Sequence, residues 1–319
     1  MKAIAASKFG SPEVLQLVEV EKPVPRDNEI LIQVHATPVN AGDSRMRSLT
    51  VPAIARLPAH ITLGFRKPKH PVYGMELAGE VVAIGKAVQR FKVGDRIFAP
   101  TMKVKFGAHA EYKCLPEDGV VVKKPENMTY EEAATLSIGA NTALYFLQQG
   151  NIRPGQKVLI IGASGSVGTF AVQLAKSFGA MVTGVCSTAN TDWIKSLGVD
   201  KVIDYTHEQY SKYGEQYDII FDTVLKSSFS QCKNLLVNRG YYLTVGPVLL
   251  GAFHSMTTGK KVIGGNAVQS VEQLEFLKEL YERGVLKPVI DRCYPLEQAA
   301  EAHRYVDQGH KKGNVVLTL

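Results

Sequence analysis

The sequence lacks the features that mark membrane, exported and disulfide-bonded proteins. No stretch of about 18 apolar residues is present, and the first residues, MKAIAASKFGSPEVLQL, lack the apolar core of a signal peptide. The four cysteines, Cys114, Cys186, Cys232 and Cys293, lie far apart in the chain, which excludes a CxxC redox motif and a four-cysteine zinc lobe. We therefore expect reduced thiols, no membrane span and a cytoplasmic location.

Acidic residues are missing from one long segment. Between Asp43 and Glu76 there is no Asp or Glu, and this segment contributes much of the formal net charge of +7. Neither interleaved aromatic residues nor a known nucleic-acid module accompanies the basic residues, so we expect no nucleic acid partner. The segment is either a solvated loop or a cover over a cleft that favours substrates with a negative or strongly polar end. Its basic residues are Arg45, Arg47, Arg56, Arg66, Lys67 and Lys69.

The pattern of the chain changes near residue 125, and 319 residues are enough for two domains. Earlier segments such as EILIQVHATPVN and ELAGEVVAIG predict short strands broken by glycine and proline, and therefore a barrel-like β domain. Later segments alternate between strand and helix, which predicts an α/β domain with a parallel, doubly wound sheet. The tail from residue 285 is expected to return a helix and a strand to the β domain. Helices are predicted at 166–178, 191–197, 228–237 and 270–283.

The segment KVLIIGASGSVGTFAVQLAK combines a strand, a glycine-rich turn and an amphipathic helix. Glycines suit this turn because the chain bends sharply, a pyrophosphate must approach the backbone, and the helix must pack closely on the strand. The start of the helix then offers free N–H groups and a positive dipole end to phosphates. The pattern predicts a dinucleotide site rather than a purely structural turn. Its residues are Gly162, Ala163, Ser164, Gly165, Ser166, Val167 and Gly168.

The strand after this helix lacks the acid that commonly holds the ribose of NAD. An NAD site usually has Asp or Glu about 20 residues beyond the glycines. Here the strand ends in TGVCSTANT, with Ser187 and Thr188 in that place. Small hydroxyl side chains leave room for a 2′-phosphate and do not repel it, so NADPH is the predicted cofactor. No arginine stands beside them to bind that phosphate.

Several motifs together resemble one enzyme family over essentially the whole chain. VNAGD, GMELAGEV, VGDRIF, AEY, GASGSVG and AHRYVDQGHKKGNVVLTL resemble the medium-chain dehydrogenase/reductase superfamily, and within it the zinc-free quinone oxidoreductase branch. The resemblance implies a GroES-like catalytic domain at 1–125 and 266–319, a Rossmann domain at 126–265, and an active site in the cleft. It also implies homodimers joined through the edges of the Rossmann sheets, near KKVIGGN.

The resemblance argues against a catalytic zinc ion. Zinc-dependent members have His where Met75 stands in GMEL, and a Cys near the position of Asn40 in VNAGD. A catalytic zinc site needs three protein ligands, and a thioether and an amide replace two of them here. Glu76 must then find a hydrogen-bonding or charged partner. We expect a backbone contact or a salt bridge to an arginine of the basic segment; a role as general acid is the alternative.

The resemblance also implies roles for single residues. Asn40 and Asp43 would border the nicotinamide pocket, Arg45 or a water would stabilise the oxyanion, and Thr142 would face the nicotinamide ring. Alternatively, Asn40 is a turn-capping amide, Asp43 is a helix N-cap and Thr142 is an ordinary helix residue. For the cofactor, the backbone at Gly246 would pass close to the nicotinamide ribose, and Tyr205 would reach the adenosine phosphate. Lys311 and Lys312 either supply positive charge to that phosphate or form a solvated turn. We interpret His35 and His109 as structural and His303 as a surface residue of an amphipathic helix.

The sequence thus predicts a zinc-independent, NADPH-dependent oxidoreductase that delivers hydride to a quinone or an α,β-unsaturated carbonyl. The alternative within the same superfamily is an alcohol or aldehyde dehydrogenase-type carbonyl reductase. The alternative from another class is a non-catalytic NADPH-binding sensor or structural protein.

Overall fold

The structure is a computed structural model of the chain, and it describes residues 1–50, 56–208, 210, 214–248, 255 and 257–319, without the side chains of 56–59. The chain forms two compact units. Unit 1 contains Met1–Ile138, Gln269–Lys278 and Ile290–Leu319, and unit 2 contains Gly139–Val268 and Glu279–Val289.

The strands are β1 (Lys2–Ala6), β2 (Leu15–Glu19), β3 (Glu29–Pro38), β4 (Glu76–Ile84), β5 (Arg96–Pro100), β6 (Tyr112–Pro116), β7 (Val122–Lys123), β8 (Lys157–Ile161), β9 (Met181–Cys186), β10 (Lys201–Asp204), β11 (Tyr217–Asp222), β12 (Leu236–Thr244), β13 (Lys261–Gly264), β14 (Ile290–Pro295) and β15 (Asn314–Thr318). The α-helices are α1 (Ala41–Ser48), α2 (Arg56–Leu63), α3 (Tyr130–Ala134), α4 (Asn141–Gln149), α5 (Ser166–Ser177), α6 (Thr191–Ser196), α7 (Phe229–Cys232), α8 (Val271–Glu282) and α9 (Ala299–Asp307). A π-helical turn, Leu136–Ala140, precedes α4.

Unit 1 is built on a mostly antiparallel sheet. Its strands follow the order β14-β15-β3-β4-β5-β7, with β6 also paired to β3, and β1 and β2 form a separate two-stranded sheet. The core below the sheet is made of aliphatic side chains such as Ile30, Ile32 and Val34 of β3 and Leu77 and Val81 of β4. The last strand, β15, pairs antiparallel with β3, so the end of the chain belongs to this sheet.

Unit 2 is a six-stranded parallel sheet in the order β10-β9-β8-β11-β12-β13. Its central strand β8 has four consecutive buried residues, Val158–Ile161, as is usual for strands covered on both faces. Strand order reverses between β8 and β11, and in such sheets ligands bind beyond the carboxyl ends of the strands at that point. The predicted α/β class with a doubly wound parallel sheet is confirmed.

Two local predictions are wrong. The helix predicted at 228–237 ends early, because α7 stops at Cys232 and the buried Leu236 already opens β12, where it pairs with Tyr217 of β11. Strand β14 is absent from the predicted elements, since its segment IDRCYP has a single buried residue, Tyr294, and no alternation of apolar and polar residues. No helix within the described ranges has the length and apolar character needed to cross a membrane.

Candidate cofactor and catalytic sites

The glycine-rich turn follows β8 directly and leads into α5. Gly162 has φ of 82°, a left-handed conformation that favours glycine. The N–H groups of Gly162 and Ala163 donate to the carbonyl of Val185 at 3.1 and 3.0 Å, which fixes the turn against the end of β9. The loop therefore stands at the carboxyl edge of the sheet, where the sequence predicts the dinucleotide.

Gly168 and Gly165 of this loop lack a side chain for different structural reasons. A Cβ on Gly168 would lie 2.1 Å from the carbonyl oxygen of Gly162, so the turn itself requires glycine there. A Cβ on Gly165 would meet no atom nearer than that same oxygen, at 3.6 Å, and its φ of −81° suits any residue. Packing of the chain therefore leaves open space at Gly165, as a backbone cradle for a pyrophosphate requires.

The start of α5 follows the glycine-rich turn directly. Gly165 is its N-cap residue, and in the described chain no side chain forms a capping hydrogen bond there. The first N–H groups of a helix have no acceptor within the helix, and they carry the positive end of its dipole. The predicted residues Gly162–Gly168 are thus brought together in a geometry that fits a dinucleotide phosphate.

Sequence reasoning missed two side chains beside this loop. Thr223, just after β11, donates its hydroxyl to the carbonyl of Ile161 at 2.9 Å. The buried carboxylate of Asp222 accepts from the N–H groups of Val224 and Ser227 at 3.0 and 2.8 Å, and so orders the turn after β11. The signal was an acid that ends the buried strand YDIIFD. Gly246, beyond β12, faces the same turn, since its Cβ would lie 2.5 Å from Leu225.

The residues predicted for the adenosine end are brought together in unit 2. Ser187 and Thr188 follow β9, and the N–H of Tyr205 donates to the carbonyl of Cys186 at 3.1 Å, so Tyr205 lies beside them with 53% of its surface exposed. The hydroxyl of Thr188 donates to the carboxylate of Asp204 at 2.6 Å. Burial raises the pKa of Asp204, but hydrogen bonds from Thr188 and Thr206 outweigh it and lower the pKa below its usual value. An ionised acid, not foreseen, therefore stands among these residues.

Glu76 is the centre of a buried polar network in unit 1. Its side chain is fully buried. One carboxylate oxygen accepts from the amide of Asn40 at 2.9 Å, and the other accepts from the hydroxyl of Ser137 at 2.9 Å and the N–H of Ile138 at 2.6 Å. The expected backbone contact is present. The expected arginine is not among the three donors, because a neutral amide, hydroxyl and peptide satisfy the carboxylate instead.

Burial also changes the acidity of Glu76. Removal from water raises its pKa to about 8, and the hydrogen bonds from Asn40, Ser137 and Ile138 only partly offset that shift. The nearby carboxylate of Asp43 adds to the rise. The acid therefore carries its proton in the folded chain near neutral pH.

Asn40 and Asp43 open helix α1. Asn40 is its N-cap residue, and Asp43, at the third helical position, accepts from the N–H of Asn40 at 3.0 Å and from the N–H of Gly74 at 3.1 Å. Burial raises the pKa of Asp43, while His109 and these N–H groups oppose the rise. Both residues are buried. Asn40 caps the helix, whereas the N-cap position predicted as the alternative for Asp43 is wrong, because Asp43 stands at the third helical position and reaches back to the N–H of Asn40.

The other two predicted catalytic residues are Arg45 and Thr142. Arg45 is a half-buried residue of α1. Thr142 is half-buried in the first turn of α4, in unit 2. Next to it the buried Asn141 donates to the carbonyl of Val268 at 3.0 Å, whereas its own oxygen has no partner within the described chain.

The side chains around Met75 do not fit a zinc ion. Met75 is buried, and a Cβ on Gly42 would lie 2.7 Å from its sulfur. Asn40, at the position of the second ligand, already binds Glu76 through its amide nitrogen. A thioether and an amide are poor substitutes for the imidazole and thiolate that zinc prefers. Among the described residues, no group of three His, Cys, Asp or Glu side chains is arranged to hold a metal.

The surface position predicted for His303 is wrong. Its side chain is fully buried, because it shares the inward face of α9 with Ala299, Ala302 and Val306 at helical spacing. Arg47 donates from Nε to its Nδ1 at 3.4 Å. Burial lowers the pKa of His303 well below its usual value, and His109 and Arg47 add to that shift. His303 is therefore a neutral core residue.

The basic segment is only partly described. Residues 51–55 and the side chain of Arg56 lie outside the described residues, while Arg66 and Lys67 are exposed. In the tail, Lys311 donates to the carbonyl of Gly313 at 2.5 Å. Burial lowers the pKa of Lys311 to about 8, against the pull of Asp291 and Glu76.

Comparisons with known proteins agree with this arrangement. Residues 26–126 match the model of the alcohol dehydrogenase GroES-like domain, and residues 197–317 match that of the zinc-binding dehydrogenases. The chain is 35% identical to the quinone oxidoreductase of Sus scrofa over 98% of this chain and 95% of the relative. It is 32% identical to a mitochondrial NAD(P)H oxidoreductase of Mus musculus over 100% of this chain and 89% of the relative.

Among solved structures, the quinone oxidoreductase of Escherichia coli complexed with NADPH is similar, with a TM-score of 0.84, 26% identity and full coverage of both chains. The two relatives cover 98% and 100% of this chain, and the two domain models match parts of its first and second halves. The chain therefore belongs to the medium-chain dehydrogenase/reductase superfamily, among the quinone oxidoreductases and their relatives, and is an oxidoreductase.

Proposed function

We propose that this protein is a zinc-independent reductase that uses NADPH to reduce quinones or α,β-unsaturated carbonyl compounds. The open cradle at Gly165 is the observation that carries this proposal, because the fold provides room there that its own packing does not use. Relatives named quinone oxidoreductase support the substrate class. The donor set around Met75 and Asn40 supports chemistry without zinc.

The residues that would hold the cofactor are those of the glycine loop, Gly162–Gly168, with Ser187, Thr188, Tyr205 and Gly246. When bound, reduced NADPH supplies a hydride, which is one proton with two electrons. The first N–H groups of α5 neutralise the pyrophosphate without a basic side chain. Thr142, at the start of α4, is proposed to contact the nicotinamide ring.

A conjugated acceptor suits a site without a metal Lewis acid. Addition of hydride to a quinone or to the β-carbon of an enone places negative charge on an oxygen, and conjugation spreads that charge during the reaction. Arg45 or a bound water is proposed to stabilise the oxyanion, and a proton from solvent then completes the reduced product. Asn40 and Asp43 are proposed to shape the pocket, since their buried hydrogen bonds fix the start of the helix that carries Arg45.

One observation favours NADH as a second candidate cofactor. The ionised Asp204 binds the hydroxyl of Thr188, so a 2′-phosphate near Thr188 would meet a negative charge. The hydroxyls of Ser187 and Thr188 support NADPH, and a ratio of kcat/KM for the two cofactors decides between them.

Two further features of the proposal concern assembly and location. Strand β13 is paired on one side by β12, and in the described chain its other edge carries no strand. Such an edge suits pairing with a second copy, as in the homodimer implied by the family. Light scattering would then give twice the mass of one chain. The cytoplasm is the proposed compartment, and cell fractionation tests it because one relative is mitochondrial.

The experiment that tests this function is a panel of quinones, enones, aldehydes and alcohols, each assayed by oxidation of NADPH beside NADH. Turnover of quinones or enones supports the proposal. Turnover of simple aldehydes alone favours the carbonyl reductase alternative. Tight cofactor binding without turnover of any compound favours a non-catalytic NADPH-binding protein.

A further inference from the structure

A second concave site lies in unit 1, away from the residues assigned above. It is a cavity of about 630 Å³ between the chain before β3, the segment before β4 and the loop between β5 and β6. None of the candidate cofactor or catalytic residues lines it. Its charged residues are Glu21, Arg26, Glu29, Lys103, Lys105 and Lys113, and His70 lies beside them.

The cations of this cavity exceed its acids and lack ion-pair partners. In the described part of the chain, none of Arg26, Lys103, Lys105 and Lys113 forms a salt bridge within 4.0 Å. Glu29, the half-buried acid, already accepts from the N–H of Arg26 at 3.0 Å. The wall therefore carries a net positive charge, with Arg26, Lys103, Lys105 and Lys113 against Glu21 and Glu29.

Two side chains of this cavity, Lys113 and His70, have lowered pKa values. Lys113 is half-buried and donates to the carbonyl of Val104 at 2.9 Å. Burial lowers its pKa, Cys114 and Glu29 oppose this shift, and Lys105 adds to it. Burial lowers the pKa of His70 as well, with added repulsion from Lys105, Lys113 and Lys69. An anion in the cavity would relieve this repulsion.

The loop that presents Lys105 is held in an unfavourable backbone conformation. Lys105 and Phe106 have φ of 66° and 58°, in the left-handed region that side chains other than glycine seldom adopt, and Gly107 follows with φ of 91°. The N–H of Phe106 donates to the carbonyl of Thr101 at 2.9 Å, which keeps the loop in place. Such strain is found preferentially where a loop positions a side chain for binding.

The rest of the wall is apolar. Val24, with 83% of its surface exposed, and Pro71, Val72, Val104 and Pro116 contribute hydrocarbon groups to the cavity. A ligand that satisfies both parts of the wall has a compact anionic head and an apolar body. Lysine ammonium groups act as point charges that bind phosphate, and Lys105 and Lys113 place two of them in this wall.

We propose that this cavity binds an organic phosphate monoester, with the phosphate between Lys105 and Lys113 and the apolar body against Val24 and Val72. The site is independent of the proposed cofactor site, and its ligand is a substrate portion or an effector rather than the dinucleotide.

The test is calorimetric titration of the full-length protein with phenyl phosphate near neutral pH, with inorganic phosphate and benzoate as comparison ligands. The variants Lys105→Gln and Lys113→Gln each remove one proposed contact. The matched control Lys8→Gln removes one exposed positive charge outside the cavity. We expect dissociation constants for phenyl phosphate to rise about tenfold in each of the first two variants and to stay unchanged in the control.

Three results would overturn the proposal: equal affinity in all four proteins, equal affinity of the wild type for the comparison ligands, or loss of phenyl phosphate binding when NADPH is added. The last result would place the phosphate at the glycine loop instead. Circular dichroism confirms folding of Lys113→Gln, and the exposed Lys105 keeps the test decisive if Lys113 proves necessary for the loop.

Discussion

Glu76 is a fully buried carboxylic acid whose three donors are all neutral. The folded chain keeps its proton up to about pH 8, whereas an exposed glutamate releases it near pH 4.5. The folded state therefore binds more protons than the unfolded state between these values. The contribution of Glu76 to the free energy of unfolding is greatest below pH 4.5 and is lost as the pH rises to about 8.

Glu76→Gln should remove this dependence. In wild type the group lowers the free energy of unfolding by up to about 1.4 kcal/mol per pH unit across that window, and glutamine has no proton to lose. Urea unfolding at several pH values between about 5 and 8 measures the slope. Glu80→Gln, on the same strand but outside the network, is the control and should keep the wild-type slope. Parallel pH profiles for wild type and Glu76→Gln would show that burial does not shift this acid.

Two buried tyrosines differ in whether the hydroxyl has a partner. Tyr73 has none within the described residues, and burial raises the pKa of Tyr73 to about 12. The hydroxyl of Tyr242 lies 3.0 Å from that of Ser227. Tyr73→Phe should therefore leave the free energy of unfolding unchanged or higher, while Tyr242→Phe should lower it by about 1 kcal/mol. A clear loss on Tyr73→Phe, measured by urea unfolding, would show that a bound water satisfies this hydroxyl.

The glycines of the loop give a test that separates packing from cofactor binding. Gly165→Ala should leave the melting temperature unchanged, because its Cβ has space, yet weaken NADPH binding about tenfold or more by filling the cradle. Gly168→Ala should lower both, since its Cβ meets a backbone oxygen at 2.1 Å. Thermal unfolding and cofactor titration measure the two effects. Full NADPH affinity in Gly165→Ala would contradict the assignment of the loop.

The elements around the adenosine end show where sequence reasoning stopped. The distance along the chain from the glycine loop predicts the hydroxyls after β9. It does not predict the acid that ends β10, because the approach of this acid to Thr188 depends on the parallel pairing of β10 with β9. Contacts between strand ends follow from sheet order, which a single sequence does not supply.

Asp204→Asn should move cofactor preference toward NADPH. The change removes a negative charge beside Thr188 and keeps a group able to accept its hydroxyl. We expect the ratio of kcat/KM for NADPH over that for NADH to rise about tenfold, as for loss of one charge repulsion near a phosphate. Steady-state kinetics with both cofactors measures it, and Asp192→Asn, an exposed acid on α6, is the control. An unchanged ratio would place the 2′-phosphate away from Asp204.

The periodicity of the sequence predicts most helices and strands correctly, but it predicts their ends poorly. Thr129 and Glu132 form a capping box at the start of α3, and the glycine loop leads into α5 as predicted. The same periodicity places His303 on the buried stripe of α9, but a titratable residue was assigned to the surface by its type alone. In the π turn before α4, Ser137 and Ile138 donate tertiary hydrogen bonds to Glu76, and the local sequence pattern does not reveal such contacts.

At the scale of the whole molecule, the class of fold was predictable because strand and helix alternate after residue 125 and the glycine loop marks the first strand of a doubly wound sheet. The hydrogen-bond network of Glu76 was not predictable, since Asn40, Glu76 and Ser137 come from three distant parts of the chain. The domain bounds 1–125, 126–265 and 266–319 stay predictions. Neither the substrate nor the role of the basic segment follows from the sequence pattern, because both depend on the three-dimensional shape of the binding site.

The central claim, reduction by NADPH without zinc, is tested most directly by one measurement on one sample: quinone-dependent oxidation of NADPH before and after treatment with a strong chelator, with elemental analysis of the same protein. We expect the same rate before and after treatment and far less than one zinc ion per chain. A rate abolished by the chelator, with one zinc per chain restored on recovery, would contradict it.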